Sequence, residues 1–156
     1  KLFPDSILRT EDVEDYDNKE AYEYAIKKAY ISFSFKYRDL RPGDVILIYR
    51  TGGSYKGVVT TICILNEVVK PTSLDELLNL CENRSVFKKE ELIKFWNDHN
   101  KNLTVVKLLY LKSLPKKVIV NDLWNLGIVD QFQGPRSFDI ISKENYLKIL
   151  NLSNKE

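Results

Sequence analysis

The spacing of apolar and polar positions divides the chain into short segments. Tyr30 to Phe35 alternates (Tyr-Ile-Ser-Phe-Ser-Phe), a pattern that predicts extended chain. Ahead of it, Asp17-Asn18-Lys19-Glu20 has the form of a capping box. Ala21, Tyr22, Ala25, Ile26 and Ala29 then recur at helical spacing, so a helix is expected to give way to strand near Tyr30. Arg41-Pro42-Gly43-Asp44 reads as a turn into an apolar strand, Val45–Arg50. Thr51-Gly52-Gly53-Ser54 reads as a hairpin loop whose return strand is Val58–Val69. Ser73-Leu74-Asp75-Glu76 is a second capping box, opening a helix to about Cys81. Lys89 to His99 predicts a helix with Leu92, Ile93, Phe95 and Trp96 facing inward, and Leu103–Leu111 a strand. Asn121 is expected to cap a short helix ending at Gly127, and Ser142 a final helix to Leu150. Gly43 should occupy a turn that a side chain would strain, with Asp44 accepting from nearby backbone N–H groups.

Strands and helices are mixed without a regular β-α-β alternation. The expected class is α+β, built on a curved, mostly antiparallel sheet. The chain has 156 residues, 44% of them hydrophobic and 29% charged, without repeats or a linker rich in proline, glycine and serine. That is the size of one domain with its own core, and the composition excludes a disordered tail. No apolar run is long enough to span a bilayer, no signal-peptide pattern opens the chain, and two cysteines fit a reducing cytoplasm. The chain lacks methionine altogether and starts abruptly at Lys1, which reads as a piece of a longer protein with a fused N-terminal domain.

Net charge is only +2 but unevenly spread. Between Glu11 and Glu20 six acids face one base, whereas Lys27 to Lys56 carries seven bases against Asp39 and Asp44. Lys101 to Val120 has five lysines and no acid. The first basic stretch also holds Tyr30, Phe33, Phe35, Tyr37, Tyr49 and Tyr55. Cations that neutralise phosphates beside rings that stack on bases suit a nucleic-acid face, and solvated lysines beside core aromatics fit equally well.

Familiar catalytic sets are missing from the sequence. His99 is the one histidine, near the end of a predicted helix where an imidazolium suits the dipole. Cys63, Cys81 and His99 lack zinc-site spacing, and neither a Walker loop nor a G-x-G-x-x-G run occurs. Cys63, in an apolar strand, reads as a buried thiol, and the acidic run as a solvated loop. The expectation is no enzyme, no metal and no cofactor.

Leu40-Arg41-Pro42-Gly43-Asp44-Val45-Ile46-Leu47-Ile48-Tyr49-Arg50, followed by Gly57-Val58-Val59-Thr60-Thr61-Ile62, resembles the PUA-like superfamily, with its EVE, YTH and ASCH domains. Lys28 to Ser34 stands where EVE domains run from a helix into the pocket-lining segment. Asn83-Arg84-Ser85-Val86-Phe87 and Gln133-Gly134-Pro135-Arg136-Ser137-Phe138 resemble a bacterial subgroup in which such a domain follows an acetyltransferase-like or toxin-like domain. The Arg-Asn pair and tryptophan-rich start of EVE domains are absent. Trp96 and Trp124 fall on predicted amphipathic helices rather than in a cage.

The resemblance implies a PUA-like β-barrel flanked by short helices. Such a domain binds RNA or DNA and accepts a single, often modified, base in a concave pocket. On that reading Tyr30 and Phe33 stack on the base, and Ser32, Ser34 and Gln133 reach its edge. Lys28, Arg50, Lys56 and Arg136 contact phosphate. For each an ordinary role stands beside this one: Phe33 as core, Ser32 and Ser34 as solvent-facing hydroxyls, Arg136 as the partner of an acid. The pocket is expected between Tyr30–Ser34 and Gln133–Arg136. Two other readings compete: a regulatory domain that positions a fused catalytic domain, and a small hydrolase of modified nucleosides whose catalytic Lys and Thr cannot be placed in this sequence.

Overall fold

The computed structural model describes residues 26–33, 40–51, 56–99, 102–135 and 138–154. Among them are four strands, β1 (Lys27–Ser32), β2 (Val45–Arg50), β3 (Val58–Val69) and β4 (Thr104–Ile119). The helices are α1 (Leu74–Cys81), α2 (Lys89–His99), α3 (Val120–Asn125) and α4 (Lys143–Asn154). The strands form one antiparallel sheet in the order β1-β4-β3-β2, so the class is α+β as expected. The expected barrel does not close: β1 and β2 are its two edges. At the β1 edge the Ala29 N–H donates to the carbonyl of Arg84 (2.8 Å), in the turn after α1, instead of to another strand.

Three buried clusters divide between the two faces. Ala29, Ile31, Leu103 and Val105 pack with Leu77, Cys81 and Leu92 of α1 and α2. Val59, Ile62, Leu114 and Val118 pack with Leu123 of α3 and Ile149 of α4. The register sets Ile62 beside Leu47 and Ile64 beside Leu109; by alternation both clusters lie on one face, with all four helices. Cys63, Leu65, Val106 and Leu108 line the other face, where Ile46, Ile48, Leu40 and Phe138 complete the packing.

The turn into β2 forms as predicted. Gly43 has φ +97°, Asp44 N–H donates to the Arg41 carbonyl (3.0 Å), and Asp44 Oδ2 accepts from Arg41 N–H (2.7 Å). Proline followed by glycine at positive φ is the signature of a type II turn. The β2–β3 hairpin is closed by Gly57 N–H on the Arg50 carbonyl (2.7 Å).

Three expectations are corrected. Lys27–Ala29 is strand, not the end of a helix: ladder pairing with Lys107–Leu109 of β4 overrides the local helical spacing. The expected capping box at Asp17–Glu20 lies outside the described residues. Strand β4 runs on to Ile119 rather than stopping at Leu111. Its pairing with β3 jumps from Ser113–Thr61 to Val118–Val59, which leaves Pro115, a residue that cannot donate to the ladder, in a bulge. The Lys116 backbone freed there is taken up by Ser153 of α4, whose Oγ donates to its carbonyl (2.8 Å) and accepts from its N–H (3.3 Å). Finally, α3 starts at Val120, directly off β4, and Asp122 Oδ2 accepts from Ile119 N–H (3.4 Å) in place of an Asn121 cap.

Candidate functional site

Strand β1 distributes its candidate residues over both faces of the sheet. Lys28, Tyr30 and Ser32 alternate onto the face of Cys63 and Val106; Lys27, Ala29, Ile31 and Phe33 take the helix-bearing face. Tyr30 is 41% exposed and meets the Phe138 ring edge-on, with centroids 5.6 Å apart. Phe33 instead packs against Phe95 (5.1 Å) and His99 (4.8 Å) of α2. The two rings proposed to stack on one base are therefore separated by the strand itself. Ser32 is 5% exposed and pairs across the ladder with buried Thr104, so its hydroxyl is part of the interior. Ser34 and Arg136 lie outside the described residues.

Lys28 is only 3% exposed, which is unusual for a lysine. Its charge is close enough to Cys63 to oppose the effect of burial there; burial still prevails and pushes the thiol up to about 12. Burial alone does the same to Cys81. Both thiols are protonated at neutral pH and unsuited to nucleophilic work.

Beside Lys28 a cleft of about 80 Å³ opens, lined by Lys27, Lys28, Asn66, Arg84, Lys107 and Leu108. Four of these six are cations, and no carboxylate is among them. Glu67 balances part of the charge through its pair with Lys107 Nζ (2.8 Å). Arg84 is set by the turn after α1, where Asn83 takes φ +54° and Arg84 N–H donates to the Cys81 carbonyl (3.0 Å). A volume equal to a few waters, at about 30 Å³ each, suits a phosphate or carboxylate group rather than a nucleobase. This cleft is bordered by neither Tyr30 nor Gln133, the positions from which a pocket was expected.

A second locus lies at the far end of the β2–β3 hairpin. Arg50 ends β2, and its Nη1 is buried with no hydrogen-bond partner among the described residues. Burial lowers the pKa of this guanidinium, as expected for a charge deprived of water. Lys56, exposed, precedes the Gly57 that closes the hairpin. Gly134 approaches the Tyr49 hydroxyl so closely that a Cβ there would stand 3.2 Å from it. Its neighbour Gln133 is exposed, and the Gln133 carbonyl accepts from Trp124 Nε1 (2.6 Å).

The described residues between 128 and 141 pack on both faces of the sheet. Ile128 and Val129 pack with the α3–α4 cluster, Phe138 with the opposite face beside Tyr30, and Ile141 with the α3–α4 cluster again. The structure thus brings Tyr30 to this segment through Phe138, and Tyr49, the neighbour of Arg50 on β2, to it at Gly134. Phe33 lies on the other face, and Lys28 and Ser32, on the face of Tyr30, are buried. Residues that sequence reasoning missed are Lys27, Arg84 and Lys107 of the cleft, and the Trp124–Phe132 pair beside Gln133. The signal for the pair was a lone phenylalanine among polar residues, Asp130-Gln131-Phe132-Gln133.

Neither a family model nor a curated protein matches the chain. Solved structures do. The ASCH protein from Zymomonas mobilis superposes with a TM-score of 0.61 at 13% identity, over 80% of this chain and 81% of that one. A tyrosine-to-phenylalanine variant of it gives 0.59 at 12% identity, over 80% and 84%. A serine-to-alanine variant gives 0.57 at 15%, over 85% and 87%. The likeness is one of fold: the open sheet and its helices have the arrangement seen in that ASCH protein.

Proposed function

We propose that this ASCH-like domain is a nucleic-acid-binding module, not itself an enzyme, that grips backbone phosphates through lysine and arginine and receives a single unstacked, often modified, base. The observation that carries the reading is the cleft with four cations and no carboxylate in its lining. Like charges gathered at one place repel, and a bound phosphate relieves that repulsion. Arg50 supports it at a second place, since a buried guanidinium nitrogen without an acceptor gains most from an anion. A binding role also suits the side chains available: the thiols are buried and protonated, and the His99 ring lies against Phe33.

Fluorescence anisotropy with single- and double-stranded RNA and DNA at two salt concentrations tests the reading. Binding should weaken steeply with salt. Replacing Lys27, Arg84 and Lys107 together by alanine should reduce the log–log salt slope by about 2–3, one increment per lost phosphate contact. Failure to bind any of the four nucleic acids at low salt, or an unchanged slope in the triple variant, refutes it.

Buried Lys28, on the same strand face as the Ser32 hydroxyl, favours hydrolysis of a modified nucleoside as a second reading. Incubation with acetylated and methylated nucleosides decides it: turnover that Lys28→Met abolishes in a folded protein supports hydrolysis, and no turnover ends it.

A further inference from the structure

The cleft beside β1 is assembled from elements that meet at one edge of the sheet. Lys27 lies two residues before Ala29, which pairs with Lys107 across the ladder, so Lys27 and Lys107 are diagonal neighbours on the helix-bearing face. Arg84 stands next to them, because the Ala29 N–H donates to its carbonyl (2.8 Å). Lys28 and Leu108 pair with each other, are 3% and 2% exposed, and turn to the opposite face, which gives the cleft a closed floor. Asn66 completes the lining from a bulge: β3 pairs with β4 through Leu65 and Glu67, and the register skips the residue between them.

The charges here do not cancel. Lys107 Nζ is held by Glu67 (2.8 Å). Neither Lys27 nor Arg84 has a carboxylate partner among the described residues. Arg84 Nη1 reaches the Asn79 carbonyl at 3.5 Å, the far limit of a hydrogen bond, so its fork of donors is hardly engaged. Of the three cations that share this face, two are therefore uncompensated. A phosphodiester inside a strand carries one negative charge and continues as sugar on two sides. A terminal phosphate monoester carries about 1.5 to 2 negative charges at neutral pH, presents three acceptor oxygens and continues on one side only. A floored cleft of about 80 Å³ with two unpaired cations matches the second group.

We infer that this cleft selects the terminal phosphate monoester of a nucleic-acid strand over the diesters within it. This deepens the nucleic-acid reading and rests on it. Lys27 and Arg84 neutralise the monoester, the guanidinium by a two-pronged contact that an ammonium cannot make. No aromatic ring is in the lining, so the attached nucleoside stays outside and the selection is blind to sequence.

The test uses anisotropy titrations of uridine decamers labelled with fluorescein on a central base. One has hydroxyls at both ends, one a 5′-phosphate and one a 3′-phosphate. Wild type should bind at least one phosphorylated strand about 10- to 100-fold more tightly than the hydroxyl-ended one, the gain of a few charge-assisted hydrogen bonds, and the responding strand identifies the end. A hydroxyl-ended undecamer, with one more internal phosphate, should bind as the hydroxyl-ended decamer does. Lys27→Gln and Arg84→Gln should each remove most of the preference. Lys27 is exposed, so Lys27→Gln should melt as wild type does and decides the matter even if Arg84→Gln unfolds. Equal binding of the three decamers by wild type, or a preference that survives Lys27→Gln, overturns the terminal site while leaving the nucleic-acid reading intact. Absence of binding to any of these strands overturns both.

Discussion

Ser153→Ala removes one oxygen, and the structure says what that oxygen holds. Ser153 is buried near the end of α4, and its hydroxyl is both donor to the Lys116 carbonyl and acceptor from the Lys116 N–H. Strand β3 cannot take over either group, since its pairing skips from Ser113 to Val118. Each bond is worth about 0.5–1.5 kcal/mol net, the 3.3 Å one at the lower end, and the orphaned groups add a desolvation cost where water does not reach them. Lys116 is exposed at its side chain, so part of that cost is relieved by solvent. The expected loss is about 1–2 kcal/mol, or about 3–6 °C in Tm for a chain of this size. Urea unfolding followed by tryptophan fluorescence should show a lower midpoint with an unchanged m-value. Ser142→Ala, which removes the acceptor for Asn145 N–H (3.1 Å) at the other end of α4, should cost about 1 kcal/mol, and the two losses should add. A Ser153→Ala midpoint indistinguishable from wild type would show that the bulge finds its hydrogen bonds elsewhere.

Further outcomes are expected at other positions. Gly43→Val should lose about 1–3 kcal/mol from positive φ alone, because nothing lies within 4 Å of the new Cβ; Gly43→Asn should lose far less, and equal melting of both variants with wild type would refute the turn. Glu76 accepts from the Thr72 N–H and hydroxyl, which hold its pKa below the ordinary 4.5. The depressed pKa means that its support of α1 is full above the ordinary value and is lost as pH falls through the folded one; an NMR titration midpoint at or above 4.5 would contradict this. Arg50→Met should raise stability by up to about 1 kcal/mol, by deleting an unsatisfied buried nitrogen, while weakening oligonucleotide binding; a destabilised variant would show that the guanidinium has a structural partner.

Punctuation made the hairpin legible. Pro42-Gly43 and the glycines of the loop announce the ends of β2 and β3, and the β-branched runs between them allow little else. The fold class followed from the same signals. Lys28 was misleading because a lysine in a basic run looks solvated; its burial comes from partners far away in sequence, such as Leu108 across the ladder. Tyr30 and Phe33 appeared as one aromatic set, yet an odd separation on a strand sends them to opposite faces. Ser73 caps α1 through Glu76 N–H (3.1 Å) as its motif predicts, but the Glu76 carboxylate turns to Thr72 rather than to Ser73. The cleft was illegible for a plainer reason: its cations come from β1, the turn after α1, and β4, and no local pattern joins them.

The two thiols sit in different clusters, Cys81 at the end of α1 on the helix-bearing face and Cys63 within β3 on the other. With both pushed up to about 12, neither reacts appreciably from the folded state at neutral pH, so alkylation waits for each to be uncovered. The pair is a built-in two-hand clock for how the domain comes apart. Cys81 ends a short helix packed against a second one and an edge strand, whereas Cys63 lies in a strand paired on both sides. Mass-resolved labelling in mild urea should therefore modify Cys81 first, by the detachment of α1 and α2 while β2–β3–β4 persists. Simultaneous labelling would instead mean that the sheet and its helical cover open as a single event.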